Sequence, residues 1–108
     1  MADELLQVVH AFAPGFEFKY NKFYIGLAKN GQPNNFAAFR PKKNNLRVEL
    51  RLKESPEITN ELEQAGLDLM DYDHRWNRYR IRLGKNDIRE HRDLLSKLMK
   101  QAHDGSLE

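Results

Sequence analysis

The densest group of chemically versatile side chains lies in residues 75–83, RWNRYRIRL, which contain four arginines, a tryptophan and a tyrosine. Arginine binds phosphate through paired N–H donors, and arginine and aromatic side chains both stack on nucleic-acid bases. The alternation within 78–83 predicts a β-strand that directs Tyr79, Ile81 and Leu83 into a core. The outward side of this strand then carries three arginines, Arg78, Arg80 and Arg82.

A second alternating segment, residues 46–53, is also predicted to direct arginines outward. Its apolar residues alternate with Arg47, Glu49 and Arg51, and an earlier predicted strand directs Tyr24 outward. If these strands share one sheet, its open face is a basic surface with an aromatic ring for base stacking. The basic turn PKKNN and a tryptophan lie beside these strands. The candidate nucleic-acid-binding residues are therefore Tyr24, Lys42, Lys43, Arg47, Arg51, Trp76, Arg78, Arg80 and Arg82.

The same side chains also fit an ordinary solvated sheet face. Soluble antiparallel sheets normally expose one polar face, and long arginine stems cover it while pairing with nearby acids. Lysine is common in turns, so this structural interpretation is favoured for Lys42 and Lys43. Trp76 is compatible with two roles: its ring could stack on a base, or it could close one end of the core. The absence of acids from 78–83 keeps the nucleic-acid hypothesis open, because a purely structural surface usually mixes charges.

A metal-binding alternative rests on Asp71, Asp73 and His74 in the segment DLMDYDHRW. Asp71 and Asp73 are two residues apart on a predicted strand, so both carboxylates share a face and could reach one divalent cation. A nuclease-type site would also need a third ligand and usually a nearby lysine. The sequence shows neither a glycine-rich phosphate loop nor a serine in a nucleophile context. We therefore assign no catalytic residues and predict no cofactor.

The net charge of +2 conceals three blocks of opposite sign. Residues 17–53 contain nine Lys and Arg against two acids, and residues 74–100 contain nine against three. Residues 54–73 contain seven acids and no Lys or Arg. This acidic segment suggests an alternative function, in which it docks on a basic surface of a second copy or of a fused or neighbouring protein. We accordingly expect a monomer or a weak homodimer.

The periodicity of apolar residues changes along the chain and predicts an α+β fold. Helices are expected at residues 3–12, at 55–65 and from Asn86 or Asp87 onward. Strands are expected at residues 22–29, 36–40, 46–53, 68–74 and 78–83. The order α-β-β-β-α-β-β-α packs most economically as a single twisted antiparallel sheet of about five strands with helices on one face. We expect one domain over residues 1–104, and the ending GSLE (105–108) is typical of a cloning remnant.

Composition narrows the classes of protein that the chain can represent. No segment approaches the roughly 18 apolar residues of a membrane span, and the N-terminus lacks the basic and apolar regions of a signal peptide. The chain has no cysteine, which excludes a disulfide framework and suits a reducing cytoplasm. We therefore predict a cytoplasmic protein without a membrane partner.

Two strings, FYIGLAKNGQPNNFAAFRPKKNNLRVELRL and RYRIRLGKNDIREHRDLLSKLMKQAH, carry a family resemblance over roughly residues 16–103. They resemble a family of small bacterial and archaeal domains of unknown function, some of which are labelled predicted transport proteins. The resemblance implies a C-terminal module that is sometimes found beside nuclease-like domains. It implies no catalytic residues.

Overall fold

A computed structural model describes residues 2–107 and shows one antiparallel sheet with four helices packed against it. The helices are α1 (Ala2–Phe12), α2 (Pro56–Gln64), α3 (Asp87–Glu90) and α4 (Arg92–Gly105). The strands are β1 (Phe16–Tyr20), β2 (Ile25–Lys29), β3 (Gln32–Pro33), β4 (Ala37–Pro41), β5 (Leu46–Arg51), β6 (Asp68–Leu69) and β7 (Arg78–Leu83). The strand order is β1-β2-β4-β5-β7-β6, with β3 paired to β2 outside this path. The predicted α+β class and single antiparallel sheet are confirmed.

The register of neighbouring strands aligns the inward-facing residues into continuous apolar rows. Phe39 lies opposite Val48, Val48 lies opposite Ile81, and all three are fully buried. The buried side chains of all four helices join the same cluster as these residues. The helices therefore cover one face of the sheet, as predicted, and the apolar area buried there is the main source of stability.

Turn and cap residues determine where several elements begin and end. Asn30 and Gly31 have positive φ values of 55° and 77°, which suit the two-residue turn between β2 and β3. Ser55 caps α2 by accepting a hydrogen bond from the backbone N–H of Ile58 at 3.1 Å, and Pro56 is the first helical residue. The predicted start of α2 is confirmed.

The predicted number of about five strands is too low because it omits β1 and β3. β1 pairs with β2 from Phe16 opposite Lys29 to Tyr20 opposite Ile25. The alternation of aromatic and charged residues in FEFKY does indicate a strand, so this signal was present in the sequence. The strand predicted over residues 22–29 begins only at Ile25. Phe23 lies in the turn before β2 and is 73% exposed.

The last helical segment is interrupted instead of continuous. His91 has φ −119° and separates α3 from α4. The carboxylate of Asp87 accepts a hydrogen bond from the backbone N–H of Gly84 at 2.6 Å, and Asn86 makes no side-chain cap. The helix therefore begins where it was predicted, with Asn86 at the N-cap position, but without a side-chain cap, since the Asp87 carboxylate closes the preceding turn.

The extent of the helices bears on two further predictions. Helix α4 continues to Gly105, and Asn34 Nδ2 donates to Ser106 Oγ at 2.9 Å. In the suspected cloning remnant, Gly105 thus belongs to α4 and Ser106 bonds to the domain, and the origin of the segment stays a prediction. Within residues 2–107, every helix is too short or too polar to span a bilayer.

Candidate functional site

The outward side of β5 and β7 brings together the arginines that the sequence indicated. The register pairs the outward residues as Arg47–Arg82, Glu49–Arg80 and Arg51–Arg78. All five predicted strand arginines therefore share one face of the sheet. A sixth outward arginine, Arg40 of β4, lies opposite Arg47. The sequence did not reveal it, because FAAFR lacks the alternation that would show which way Arg40 points.

At the centre of this face a single carboxylate, Glu49, holds three arginines. Arg40 Nε donates to its Oε2 at 2.8 Å, and Arg78 Nη1 donates to its Oε1 at 3.2 Å. Arg47 Nε lies 3.2 Å from Oε2, which makes an ion pair without the geometry of a hydrogen bond. Glu49 is only 5% exposed. Burial of a carboxylate is tolerated when it is paired and hydrogen-bonded, so these arginines allow Glu49 to lie beneath them.

The arginines outnumber this carboxylate and retain unused hydrogen-bond donors. Each guanidinium carries five N–H donors, and Glu49 accepts only a few of those available. The Nε atoms of Arg47 and Arg78 are buried and have no hydrogen-bond partner within the described chain. Buried polar atoms without partners are uncommon in folded proteins. The guanidinium donors that Glu49 leaves unused, and not these buried Nε atoms, can bind an anion.

The acidic segment 54–73 neutralises little of this charge. Arg82 forms an exposed ion pair with Asp68 at 3.4 Å. Arg80 instead donates from Nε and Nη2 to the backbone carbonyl of Asp71, at 3.1 and 2.8 Å. Among the ion pairs of residues 2–107, Arg82 is the only one of the six outward arginines that meets a carboxylate from this segment.

A cleft of about 450 Å³ opens over Glu49. Its lining residues, which together we call the arginine cleft, are Tyr24, Arg40, Arg47, Glu49, Asp73, Trp76, Arg78 and Arg80. Tyr24 enters from the β2 side and stacks with Arg40, whose Cζ lies 5.6 Å from the ring centroid. Trp76 enters from the β7 side and is 59% exposed. The cleft thus combines cationic donors with two aromatic rings.

A tight turn before β7 positions Trp76. Asp73 Oδ1 accepts hydrogen bonds from the backbone N–H groups of Arg75 and Trp76, at 3.0 and 3.2 Å. Asn77 completes the turn with φ 55°, a left-handed conformation that asparagine adopts more easily than most residues. The guanidinium of Arg75 lies 5.3 Å from the centroid of the Trp76 ring. Trp76 consequently projects from the turn and does not close the end of the core.

Four of the predicted binding residues lie outside the arginine cleft. Lys42 and Lys43 are exposed in the turn between β4 and β5, and Lys42 lines a separate groove beside the start of α1. Arg51 lines a groove of about 800 Å³ against α4. Arg82 lies on the outward face but is not part of the cleft wall. These four side chains add positive charge to the surface around the cleft but do not form its walls.

The structure does not gather the predicted metal ligands Asp71, Asp73 and His74. Asp73 Oδ1 is occupied by two backbone N–H groups, and His74 Nε2 lies 3.9 Å from a carboxylate oxygen of Glu54. Among residues 2–107, one group of acidic and histidine side chains has ligand atoms within 4.8 Å of one another, and it is a different one: Asp87, Glu90 and His91. One oxygen of Asp87 already accepts the Gly84 N–H, and exposed acidic groups of this kind are common without a metal.

Comparison with known proteins defines a family but not an activity. No curated protein and no solved structure shows a significant match to the chain. A family match covers residues 1–106 and agrees with the sequence resemblance at the level of a domain of unknown function. The description of that family supports no particular ligand or reaction. Since the match covers nearly the whole chain, the protein belongs to the family described as Domain of unknown function (DUF5655).

Proposed function

We propose that this protein is an accessory binding module that holds nucleic acid weakly, mainly through phosphates, on the arginine-rich face of its sheet. The main support is an excess of positive charge on the outward face of the sheet. Six arginines from three adjacent strands lie on one face, and one buried carboxylate, Glu49, lies among them. Clustered arginine on one face is the electrostatic footprint of a nucleic-acid surface, because each neutralised phosphate releases a condensed counterion.

Exposed aromatic rings beside the arginines support the same proposal. Tyr24 and Trp76 line the arginine cleft. The backbone of Phe23 is next to the cleft, since its carbonyl oxygen accepts from Arg40 Nη1 at 3.4 Å, and its side chain is exposed. Aromatic rings together with arginine bind bases by stacking, without requiring a particular sequence. Trp76 is 59% exposed. Burial of so large a ring is favourable, so a face that only contacts solvent does not explain this exposure.

The test is a titration of short single-stranded and double-stranded oligonucleotides at increasing salt. We expect affinity to fall at least about tenfold between roughly 50 and 200 mM salt, the dependence expected for a few phosphate contacts. The double variant Arg80→Gln/Arg82→Gln removes two charges from the outward face and should lower the slope of log K against log salt by about 1 to 2.

The matched control is Arg89→Gln/Arg92→Gln, which removes the same charge from exposed positions on the helical side. We expect it to bind almost as the unmodified protein does. Equal losses in the two double variants would mean that binding follows net charge and not the sheet face. Affinity no better than that of a neutral protein of similar size would end the proposal.

A second candidate function, self-association through the acidic segment, is favoured by one observation. Glu54, Glu57 and Glu63 line a groove of about 790 Å³ beside α2. The same molecule therefore carries an acidic surface and an arginine-rich face, and charges of opposite sign can bring copies together head to tail. Light scattering tests this candidate. A dimer that dissociates as salt rises, without any oligonucleotide binding, would favour self-association over the first proposal.

A further inference from the structure

Resting on the proposed function, we infer that the arginine cleft takes one unpaired nucleotide, with its phosphate on the arginines and its base against Trp76. The ligand class is a phosphate linked to an aromatic base whose face is open. A free nucleotide and a single strand both supply this chemistry, whereas a duplex does not. The protein is therefore a binder of unpaired nucleic acid, and its affinity for single strands exceeds its affinity for duplexes.

The arginines of the cleft are held in position before any ligand arrives. Glu49 orients Arg40, Arg47 and Arg78 through oxygen–nitrogen distances of 2.8 to 3.2 Å. The Asp71 carbonyl orients Arg80 through two hydrogen bonds. A guanidinium that is already fixed loses less conformational entropy when it binds an anion. Glu49 is accordingly a positioning residue, because its carboxylate acts through the arginines that it holds.

The charge balance of the cleft suits one phosphate. Four arginines and two carboxylates line it, which leaves an excess of two positive charges. A phosphate monoester carries about −1.5 to −2 at neutral pH, so a single terminal phosphate compensates most of this excess. A phosphodiester compensates part of it. The arginines that line the cleft carry more N–H donors than Glu49 uses, and such donors are of the type that phosphate oxygens accept.

The aromatic component of the site is Trp76. Its ring is 59% exposed at the mouth of the cleft, and the Arg75 guanidinium lies 5.3 Å from its centroid. A base stacked on Trp76 would bury this exposed apolar surface. The volume of about 450 Å³ lies within the range of small-ligand sites, roughly 300 to 1,000 Å³. Paired bases present only their edges in the grooves, so an intact duplex cannot stack a base there.

The experiment exploits the fact that Trp76 is the only tryptophan of the chain, so intrinsic fluorescence reports directly on the cleft. The unmodified protein is titrated with adenosine 5′-monophosphate, adenosine, inorganic phosphate, a single-stranded oligonucleotide and the corresponding duplex. We expect saturable fluorescence quenching by the monophosphate and by the single strand. Adenosine and phosphate alone should each bind at least about tenfold more weakly than the monophosphate, because each lacks one of the two components.

Paired variants separate the cleft from the general charge of the face. Arg80→Gln removes a cleft arginine, and Arg82→Gln removes an equal charge two residues along the same strand but outside the cleft. We expect monophosphate affinity to fall about tenfold in Arg80→Gln and less than about threefold in Arg82→Gln. Trp76→Ala should weaken single-strand binding by about fivefold or more, measured by anisotropy of a labelled oligonucleotide, and Trp76→Phe should restore most of it.

The outcomes distinguish this inference from the function on which it rests. Salt-dependent oligonucleotide binding with equal affinity for single strand and duplex, and without a change in Trp76 fluorescence, would overturn the cleft assignment while leaving the proposed function intact. Saturable binding of the monophosphate without oligonucleotide binding would support a nucleotide site in the cleft and overturn the nucleic-acid function. Absence of any effect from monophosphate and oligonucleotides would overturn both.

Discussion

The two faces of strands β5 and β7 are made from alternate residues of the same segments, yet they have opposite physical characters. Val48 and Ile81 lie opposite each other on the inward face and are fully buried under helices. In the adjacent pair of the ladder, Glu49 and Arg80 lie opposite each other on the outward face. The backbone pairing that assembles the core therefore also aligns the arginines. A slip of one residue in register would exchange the two faces, so the core protects the geometry of the candidate site.

The largest expected effect comes from deleting a core side chain on the inward face. Phe39→Ala removes a fully buried ring and should lower the free energy of unfolding by about 4 kcal/mol, through lost burial and the cavity left behind. Urea denaturation measures this loss. Phe23→Ala is the matched control, since Phe23 is 73% exposed and its removal should change stability by less than about 0.5 kcal/mol. Similar losses in the two variants would contradict the assigned positions of these rings.

A smaller loss is expected from the one buried carboxylate of the outward face. Glu49→Gln leaves Arg40, Arg47 and Arg78 without their shared counter-charge. The arginine side chains are partly exposed, so we expect a loss of about 2 kcal/mol, below the 3–5 kcal/mol typical of breaking a fully buried pair. Glu17→Gln, on an exposed strand position, is the control. If Glu49→Gln unfolded at the same urea concentration as this control, Glu49 would not anchor the arginines.

The inward face also contains a polar group whose removal tests the packing of α2 against β7. The Tyr79 hydroxyl accepts from Ser55 N–H at 2.9 Å, donates to the Ser55 carbonyl at 3.0 Å and lies 2.9 Å from Thr59 Oγ1. Tyr79→Phe keeps the ring but leaves these groups unpaired, which should cost about 1 kcal/mol. Thermal unfolding compares it with Tyr20→Phe, whose hydroxyl belongs to an exposed residue. Unchanged stability in Tyr79→Phe would mean that water replaces these bonds.

The smallest expected effect is a dependence on pH at the edge of the same core. Burial raises the pKa of the Tyr72 hydroxyl above its ordinary value, and the hydroxyl donates to the Leu52 carbonyl at 2.6 Å. The folded state therefore retains this proton more tightly than the unfolded state. The stabilisation is fully present below about pH 10 and is lost as pH rises through the higher pKa of the folded state. As pH rises above about 10, the free energy of unfolding measured with urea should fall more in the unmodified protein than in Tyr72→Phe. Parallel pH profiles would argue against this burial effect.

Several features of the candidate site were predictable from local pattern, and others were not. The outward direction of Arg47, Arg78 and Arg80 follows from alternation, because a strand with one buried face repeats every two residues. Pattern does not show which strands are neighbours, so it could not place Arg40 beside Glu49. Nor could it show that β6 ends after Leu69, that the Asp73 carboxylate is used by a turn, or that the charges of the acidic segment stay largely apart from the arginines.

The sequence by itself determined the α+β class, the inward and outward sides of β5 and β7, and the separation of charge into blocks. These properties are local, since hydrophobic period, capping and composition act over a few residues. Only the tertiary structure decided that three arginines share one buried glutamate, that Tyr24 and Trp76 border the same cleft, and that Lys42 lies outside it. These properties depend on strand order and register, which result from packing the whole core and from no single segment.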